Sequence, residues 1–131
     1  MDAMRKYLRR GKRHRILLGA INDPSCLGAL RAFEEAGRAS ECLAVSHNGG
    51  LEARMELRRR GSGLVGSVAY FPEQYGEAVI RLALDKLRGK AVPAASFVKH
   101  ELLTRQTVDT FYPYDELLSD QQADSFLFSR H

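Results

Sequence analysis

Residues 15–37, RILLGAINDPSCLGALRAFEEAG, contain the two elements that decide the fold. A largely apolar run over residues 15–21 is short and continuous, which is typical of a strand that is covered on both faces. The tripeptide Asn-Asp-Pro at residues 22–24 interrupts it, and an amphipathic segment follows. Because Asp is a strong N-cap residue and Pro fits the first helical turn, we predict a helix that starts at Asp23 and ends at Gly37.

The same order, a strand and then a helix, recurs along the chain. Strands are predicted at residues 42–45, 64–70 and 92–98, and helices at residues 51–60 and 73–87. Strands that alternate with helices of this length favour a parallel sheet with right-handed crossovers and helices on both faces. The sequence therefore predicts an α/β fold, a three-layer sandwich built around a parallel sheet.

The composition is that of one globular domain. The chain has 131 residues, of which 44% are hydrophobic and 27% are charged, enough to form a continuous core. We treat residues 1–131 as a single domain, with a basic leader helix over residues 1–13 and a C-terminal tail over residues 114–131. The apolar residues 16–21 are too few to span a bilayer and no small-residue cleavage site follows them, so we expect no signal peptide in this sequence.

The formal net charge of +4 is unevenly distributed. Residues 1–15 contain seven Lys and Arg residues against Asp2 alone, so the rest of the chain is slightly acidic. Only Tyr7 provides an aromatic side chain among these charges, and no helix-turn-helix pattern follows them. Because a run of like charges is most often a solvated face, we do not expect a nucleic acid as partner.

The residues needed for metal binding or nucleophilic catalysis are not grouped in the sequence. The histidines at positions 14, 47, 100 and 131 lack the spacing of metal ligands, and the two cysteines form no CxxC motif. A GxGxxG match at residues 61–66 precedes a strand instead of joining a strand to a helix, and there is no GxSxG elbow. We therefore predict no enzyme, no catalytic residue, no metal site and no cofactor, and we expect Cys26 and Cys42 to be buried thiols.

Polar and aromatic residues follow three of the predicted strands. In parallel sheets, ligands bind beyond the carboxyl ends of the strands. The residues at these positions are Asn22, Asp23, His47, Asn48, Tyr70, Phe71 and Glu73. Amide and carboxylate groups pair with neighbouring hydroxyls, and an aromatic ring packs on the C–H face of a sugar. This combination suits a neutral polyol.

Most of these residues also have a purely structural interpretation. Asp23 is placed to cap the helix, and Asn48 before two glycines fits a turn. Tyr70 fits an aromatic residue at a strand end, and Glu73 fits the first turn of a helix, where it complements the dipole. The residue patterns leave both interpretations open, whereas Asn22 has no equally simple structural explanation.

Four blocks of the sequence resemble one protein family in their order and spacing. They are ILLGAINDPSCLGALRAFEEAGR, LAVSHNGG, GSVAYFPEQYGEAVIRLALDKLRGKAVP and LLTRQTVDTFYP. They resemble the C-terminal lobe of the periplasmic sugar-binding proteins of ABC transporters, the ribose-binding-protein-like group, over about residues 7–113. The resemblance implies a single lobe of a periplasmic-binding-protein-like fold and non-catalytic sugar recognition. Lactose-repressor-type transcription regulators share this lobe, so the effector-binding and dimerisation half of such a regulator is the alternative.

The resemblance implies roles for the residues at the strand ends. The asparagine of the family's first loop hydrogen-bonds the sugar, which assigns this role to Asn22 and leaves Asp23 to cap the helix. Asn48 stands where the family often has an aspartate, and Tyr70 where it usually has a glutamine, so the identity of the sugar stays open. The expected sugar-binding residues are Asn22, Asn48 and Tyr70, with Asp23, His47, Phe71 and Glu73 as further candidates.

The resemblance also implies partners and a location. The parent family is periplasmic or extracytoplasmic and passes its carbohydrate to a membrane permease. Its members close two lobes around the ligand, and this sequence matches one of them, so we expect a fragment that lacks the N-terminal lobe and binds sugar weakly or not at all. Apolar side chains of residues 102–114 would face the missing lobe. We expect them to be exposed and the fragment to form a homo-oligomer.

Overall fold

The computed structural model describes residues 2–10 and 15–115 of the chain. Its elements are α1 (Asp2–Arg10), β1 (Ile16–Gly19), α2 (Asp23–Glu35), β2 (Cys42–Asn48), α3 (Leu51–Arg58), β3 (Leu64–Ala69), α4 (Tyr75–Leu87), β4 (Glu101–Leu103) and α5 (Val108–Phe111). Short 3₁₀ turns precede β2 and α4. The leader helix appears as α1, whereas residues 11–13 and most of the predicted tail, residues 116–131, lie outside the described residues.

The four strands form one sheet in the order β1-β2-β3-β4. The first three strands are parallel, with Ile16 beside Cys42 and Ser46 beside Ser67. Helices α2 and α3 connect them, as the alternating pattern of the sequence predicts. The α/β fold class with a mainly parallel sheet is therefore confirmed.

The predicted fourth strand is wrong in position and direction. Residues 92–98 form no strand, and β4 lies further along the chain, antiparallel to β3, with Leu103 beside Ser67. Pro93 explains the first difference, because proline has no N–H to donate to a strand ladder. The short apolar sequence at residues 101–103 pairs instead, at the edge of the sheet.

The core lies between one face of the sheet and helices α2 and α3. Alternate residues of β2 show this directly, because Cys42, Ala44 and Ser46 are buried whereas Leu43 and Val45 are exposed. The core side chains come from several helices and strands but not from α4, and the largest of them include Phe33, Leu57, Leu103 and Val108. Cys26 and Cys42 are free and buried in this core, as predicted.

The opposite face of the sheet is apolar and exposed. Leu17 of β1 is 86% exposed, and its neighbours Leu43 and Val45 of β2 are about half exposed. Among the described residues, no helix buries this stretch of the sheet, and α4 contributes no buried side chain. Helices therefore flank the sheet unevenly, and the face defined by Leu17, Leu43 and Val45 is here called the open face.

The expectation for residues 102–114 is wrong at two central positions. Leu103 and Val108 are completely buried, whereas Leu102 and Tyr114 are 54% and 72% exposed. Leu103 lies beside Ser67 in the sheet and therefore points to the same face, the one that packs against α2 and α3. This segment completes the core of the described fold instead of presenting a continuous apolar surface.

Helix α1 packs on the outer side of α2. Leu8 joins the core cluster, and the Arg5 guanidinium pairs with Glu35 of α2 at 2.8 Å.

Within residues 2–10 and 15–115, none of the helices has both the length and the apolar character needed to cross a membrane.

Candidate functional site

Asn22 caps α2, which corrects the role predicted for Asp23. Its Oδ1 accepts a 2.9 Å hydrogen bond from the backbone N–H of Ser25, and its own backbone is extended. Asp23 is already the first helical residue and does not cap. The Asn22 amide Nδ2 has no hydrogen-bond partner among the described residues, and the side chain is half-buried. Asn22 therefore caps the helix through Oδ1, and its Nδ2 donor group is not used by these residues.

Asp23 is buried, with 3% of its surface exposed, and joins four elements. Its Oδ1 accepts hydrogen bonds from the hydroxyls of Ser46 on β2, at 2.5 Å, and Ser67 on β3, at 2.7 Å. Its Oδ2 accepts a 2.7 Å bond from the backbone N–H of Gly50, just before α3. A buried carboxylate is stable only when hydrogen bonds replace its water, and three donors do so here. Asp23 thus connects the start of α2 with β2, β3 and the residue before α3.

Ser46 and Ser67 are functional residues that were not predicted from the sequence, although their positions in the strands carry a signal. Ser46 lies two residues after the buried Ala44, and Ser67 lies two residues before the buried Ala69, so each serine stands on the buried face of its strand. A hydroxyl on the buried face of a strand requires a partner, because an unpaired buried polar group is costly. The register places the two serines side by side, so one carboxylate serves both.

Gly49, which follows β2, is held at both of its backbone groups. Its N–H donates to Ser67 Oγ at 3.1 Å, and its carbonyl accepts from Arg54 Nη1 at 2.6 Å. Its φ is 63°, and a Cβ at this position would lie 2.6 Å from the Cβ of Ala69. Only glycine satisfies both conditions. The preceding residue, Asn48, also has a positive φ, 113°, and its exposed side chain makes no hydrogen bond within the described residues.

Arg54 of α3 is nearly buried and forms a two-pronged ion pair with Asp115. The two N···O distances are both 2.8 Å, and Arg58 adds a third bond to the same carboxylate at 2.7 Å. Burial opposes ionisation of Asp115, but the hydrogen bonds from Arg54 and Arg58 outweigh it and lower the pKa of this carboxyl. The Arg54 guanidinium also lies 3.8 Å from the ring centre of Tyr112. These contacts leave Arg54 little freedom.

Tyr70 and His47 meet at the carboxyl ends of β3 and β2. His47 Nδ1 and the Tyr70 hydroxyl are 2.7 Å apart, and the ring of His100 lies 6.4 Å from that of Tyr70. His47 is exposed and Tyr70 is partly exposed. The tyrosine therefore presents a ring and a hydroxyl at the surface, and the histidine fixes the position of the hydroxyl.

Phe71 and Glu73 both contact Tyr112, just after α5. Phe71 is buried with a φ of 51°, and its ring stacks on that of Tyr112 at 5.7 Å. Glu73 accepts a 3.2 Å hydrogen bond from the Tyr112 hydroxyl. Burial and the neighbouring Glu73 carboxylate together raise the pKa of Tyr112 to about 12. Both residues anchor the loop that follows β3.

Asn22, Asn48 and Tyr70 lie at or just beyond the carboxyl ends of three adjacent strands, β1, β2 and β3. His47 lies beside Val68 and Asn48 beside Ala69, so the last residues of β2 and β3 are next to each other. Within the part of the chain that the structure describes, no three His, Cys, Asp or Glu residues are grouped to hold a metal ion. Asn22, Asn48 and Tyr70 therefore bring two amide groups, one hydroxyl and one aromatic ring to this edge.

A groove of about 290 Å³ lies beside Tyr70 and Phe71, between α4 and residues 96–99. Most of its lining side chains are apolar, including Val79, Leu82 and Phe97. It therefore differs in chemistry from the polar edge at Asn22 and Asn48.

Solved structures with the same fold include proteins that bind sugars or a sugar alcohol. An ABC transporter solute-binding protein from Agrobacterium vitis, with bound allitol, is 25% identical and has a TM-score of 0.77 over 86% of this chain. A periplasmic solute-binding protein from Actinobacillus succinogenes, with bound D-allose, has 18% identity and a TM-score of 0.73 over 83% of this chain. The fructose-binding periplasmic domain of a hybrid two-component system has 25% identity and a TM-score of 0.69 over 99% of this chain.

The matches cover only part of each of these structures. The chain spans 39%, 37% and 43% of their lengths, respectively. No protein-family model and no curated protein matches the sequence. In fold, the chain is therefore a single lobe of the kind that occurs in the periplasmic sugar-binding proteins of ABC transporters.

Proposed function

We propose that this chain is the carbohydrate-binding lobe of an ABC-transporter solute-binding protein. It recognises a sugar without catalysis, in an extracytoplasmic protein that serves a membrane permease. The observation that supports this most directly is the position of Asn22, Asn48 and Tyr70 at the ends of three adjacent parallel strands. The allitol and fructose ligands of two structurally similar proteins support the same class of ligand.

Each of the three residues has a separate role in this proposal. The free Nδ2 of Asn22 donates to a sugar hydroxyl while its Oδ1 keeps the cap on α2. The exposed amide of Asn48 both donates and accepts. Tyr70 supplies an apolar ring face for the C–H groups of the sugar, with its hydroxyl held by His47.

A single lobe binds such a ligand weakly. Each hydrogen bond that competes with water contributes only about 0.5–1.5 kcal/mol net. A few such bonds and one ring contact leave little after the entropic cost of association, so we expect a dissociation constant on the order of millimolar or weaker.

The experiment is a titration of the 15N-labelled chain with pentoses, hexoses and hexitols, followed by amide spectra. We expect one class of sugar to shift the signals of Asn22, Asn48 and their neighbours, and leucine, as a control solute, to shift none. The decisive variant is Asn22→Ser, which keeps a good capping oxygen but has neither the Nδ2 group nor a carboxylate. It should fold with nearly unchanged stability and lose most of the sugar-dependent shifts. If no sugar shifts these signals, or if Asn22→Ser responds like the parent, the proposal is wrong.

We also propose that the isolated chain forms a homo-oligomer through the open face. Leu17, Leu43 and Val45 leave an apolar sheet surface exposed, and parallel sheets are normally covered on both faces. Light scattering should give a mass above that of one chain, and Leu17→Lys with Leu43→Lys should return it to a monomer. A monomeric parent would contradict this part of the proposal.

A further inference from the structure

Asn48 has a backbone conformation that residues with a Cβ rarely adopt. Its φ is 113°, in the region that favours glycine, although asparagine tolerates positive φ better than most residues. Asn48 is also the last residue of β2 and one of the proposed sugar-binding residues. A conformation of this kind persists only where the surrounding structure holds it.

The two residues after Asn48 are held by side chains from three other elements. Ser67 of β3 accepts from the Gly49 N–H, and Arg54 of α3 donates to the Gly49 carbonyl. Asp23 of α2 accepts from the Gly50 N–H. Three backbone groups directly after Asn48 are thus bound by buried side chains, none of which touches the exposed edge itself.

We propose that Asp23, Arg54 and Ser67 form a clamp on Gly49 and Gly50 that holds Asn48 at positive φ and so directs its side-chain amide to the sugar site. The three clamp residues are positioning residues. This inference deepens the proposed function, because the direction of the Asn48 amide decides which sugar hydroxyl it meets.

Two members of the clamp, Ser67 and Arg54, are held in place by further contacts. Ser67 donates to Asp23 at 2.7 Å while it accepts from Gly49, so its hydroxyl cannot rotate without loss of one bond. Arg54 is held by the Asp115 carboxylate and the Tyr112 ring. The clamp is therefore preorganised before any ligand arrives.

The chain contains a matched pair of serines for the test. Ser46 and Ser67 are both buried and both donate to Asp23 Oδ1, but only Ser67 also binds the Gly49 N–H. Ser67→Ala and Ser46→Ala therefore remove the same group from the same carboxylate. Only the first of them opens the clamp.

The measurement is a double-mutant cycle with Asn48→Gly, read as the unfolding equilibrium constant of the full 131-residue chain in urea. In the parent, Asn48→Gly removes the strain and should lower the unfolding equilibrium constant roughly two- to fivefold. This value is net of the entropic cost of glycine. With Ser67→Ala, Asn48 relaxes by itself, so Asn48→Gly should give no gain. With Ser46→Ala, the gain should equal that of the parent.

A spectroscopic readout accompanies the cycle. Ser67→Ala should shift the backbone and side-chain amide signals of Asn48, whereas Ser46→Ala should leave them in place. If Ser67→Ala does not fold, Arg54→Lys takes its place, because lysine keeps a charge beside Asp115 but lacks the fork that also reaches the Gly49 carbonyl. An equal gain from Asn48→Gly in the parent and in the clamp variant would overturn the proposal, and so would unchanged Asn48 signals.

These measurements use no sugar, so their result does not depend on the proposed function. A cycle that behaves as expected in a chain whose Asn48 signals respond to no sugar would overturn the sugar-binding proposal and leave the clamp intact. If sugar shifts the Asn48 signals but the effects of Asn48→Gly and Ser67→Ala are additive, the clamp proposal is wrong and the sugar-binding proposal stands.

Discussion

The Asp23 carboxylate, at the first residue of α2, accepts a 2.7 Å hydrogen bond from the backbone N–H of Gly50, the residue that caps α3. Gly50 has no side chain to cap α3 with, and one of the free N–H groups at this helix end is satisfied by a residue 27 positions earlier. One buried charge thus stabilises the starts of two successive helices, where a negative charge is favourable.

Asp23→Ala should destabilise the fold more than Asn22→Ala. Loss of the Asn22 cap costs about 0.5–2 kcal/mol. Loss of the Asp23 carboxylate leaves the hydroxyls of Ser46 and Ser67 and the Gly50 N–H without their acceptor, and each unsatisfied buried group costs about 1–3 kcal/mol. Urea denaturation of both variants measures the difference. Equal losses of unfolding free energy would contradict the burial and the three bonds of Asp23.

Gly49→Ala should cost more than Gly37→Ala. The two glycines have nearly the same φ, 63° and 66°, so the backbone penalty of about 1–2 kcal/mol is shared. An added Cβ meets Ala69 at 2.6 Å at position 49 but nothing within 4 Å at position 37. We expect Gly49→Ala to lose a further ~1–3 kcal/mol from overpacking, or to fail to fold. Thermal and urea unfolding of Gly49→Ala and Gly37→Ala measure the difference in their stability. Similar stabilities of the two variants would contradict the close approach of Gly49 to β3.

Acid should weaken the ion pair between Asp115 and Arg54. The folded-state pKa of Asp115 lies below its ordinary value, so its contribution is complete above about pH 4 and is lost as the pH falls through the folded-state pKa. Asp115→Asn should therefore be less stable than the parent at pH 7, and this difference should shrink as the pH falls below about 4.

The control for the acid experiment is Asp109→Asn. Asp109 also pairs with Arg58, but it is 72% exposed, so its loss should change the unfolding free energy by less than ~1 kcal/mol at any pH. Denaturant titrations between neutral and acid pH measure all three proteins. A stability difference between the parent and Asp115→Asn that does not change with pH would show that Asp115 is not ionised in the fold.

The two cysteines should react with thiol reagents only after unfolding. Burial raises the pKa of Cys26 to about 11 and also raises that of Cys42, so neither forms a thiolate near neutral pH. Labelling with a disulfide reagent should be slow in buffer and complete in denaturant, with Ser25→Cys as an exposed control that reacts at once. Fast labelling of the native parent would contradict the core positions of both residues.

The sequence predicted the order β1, α2, β2, α3, β3 because each of these elements has a local signal. Apolar runs of strand length, a capping tripeptide at residues 22–24 and glycines after helices depend only on neighbouring residues. The location of polar and aromatic residues at the strand ends followed from the same pattern, since parallel strands must end on one edge. The strand predicted at residues 92–98 failed because β4 depends on pairing with β3, which no local pattern reports.

Tertiary structure alone decided what Asn22 and Asp23 do. Both residue types cap helices, so composition and spacing could not assign the cap to one and the buried contacts to the other. The choice depends on Ser46, Gly50 and Ser67, which lie 23, 27 and 44 residues further along the chain and meet Asp23 only in the folded sheet. The conformation of Asn48 is decided in the same way, because the groups that bind Gly49 come from α3 and β3. Local sequence specifies which elements form, whereas the partner of a buried polar group is set by strand register, a property of the whole sheet.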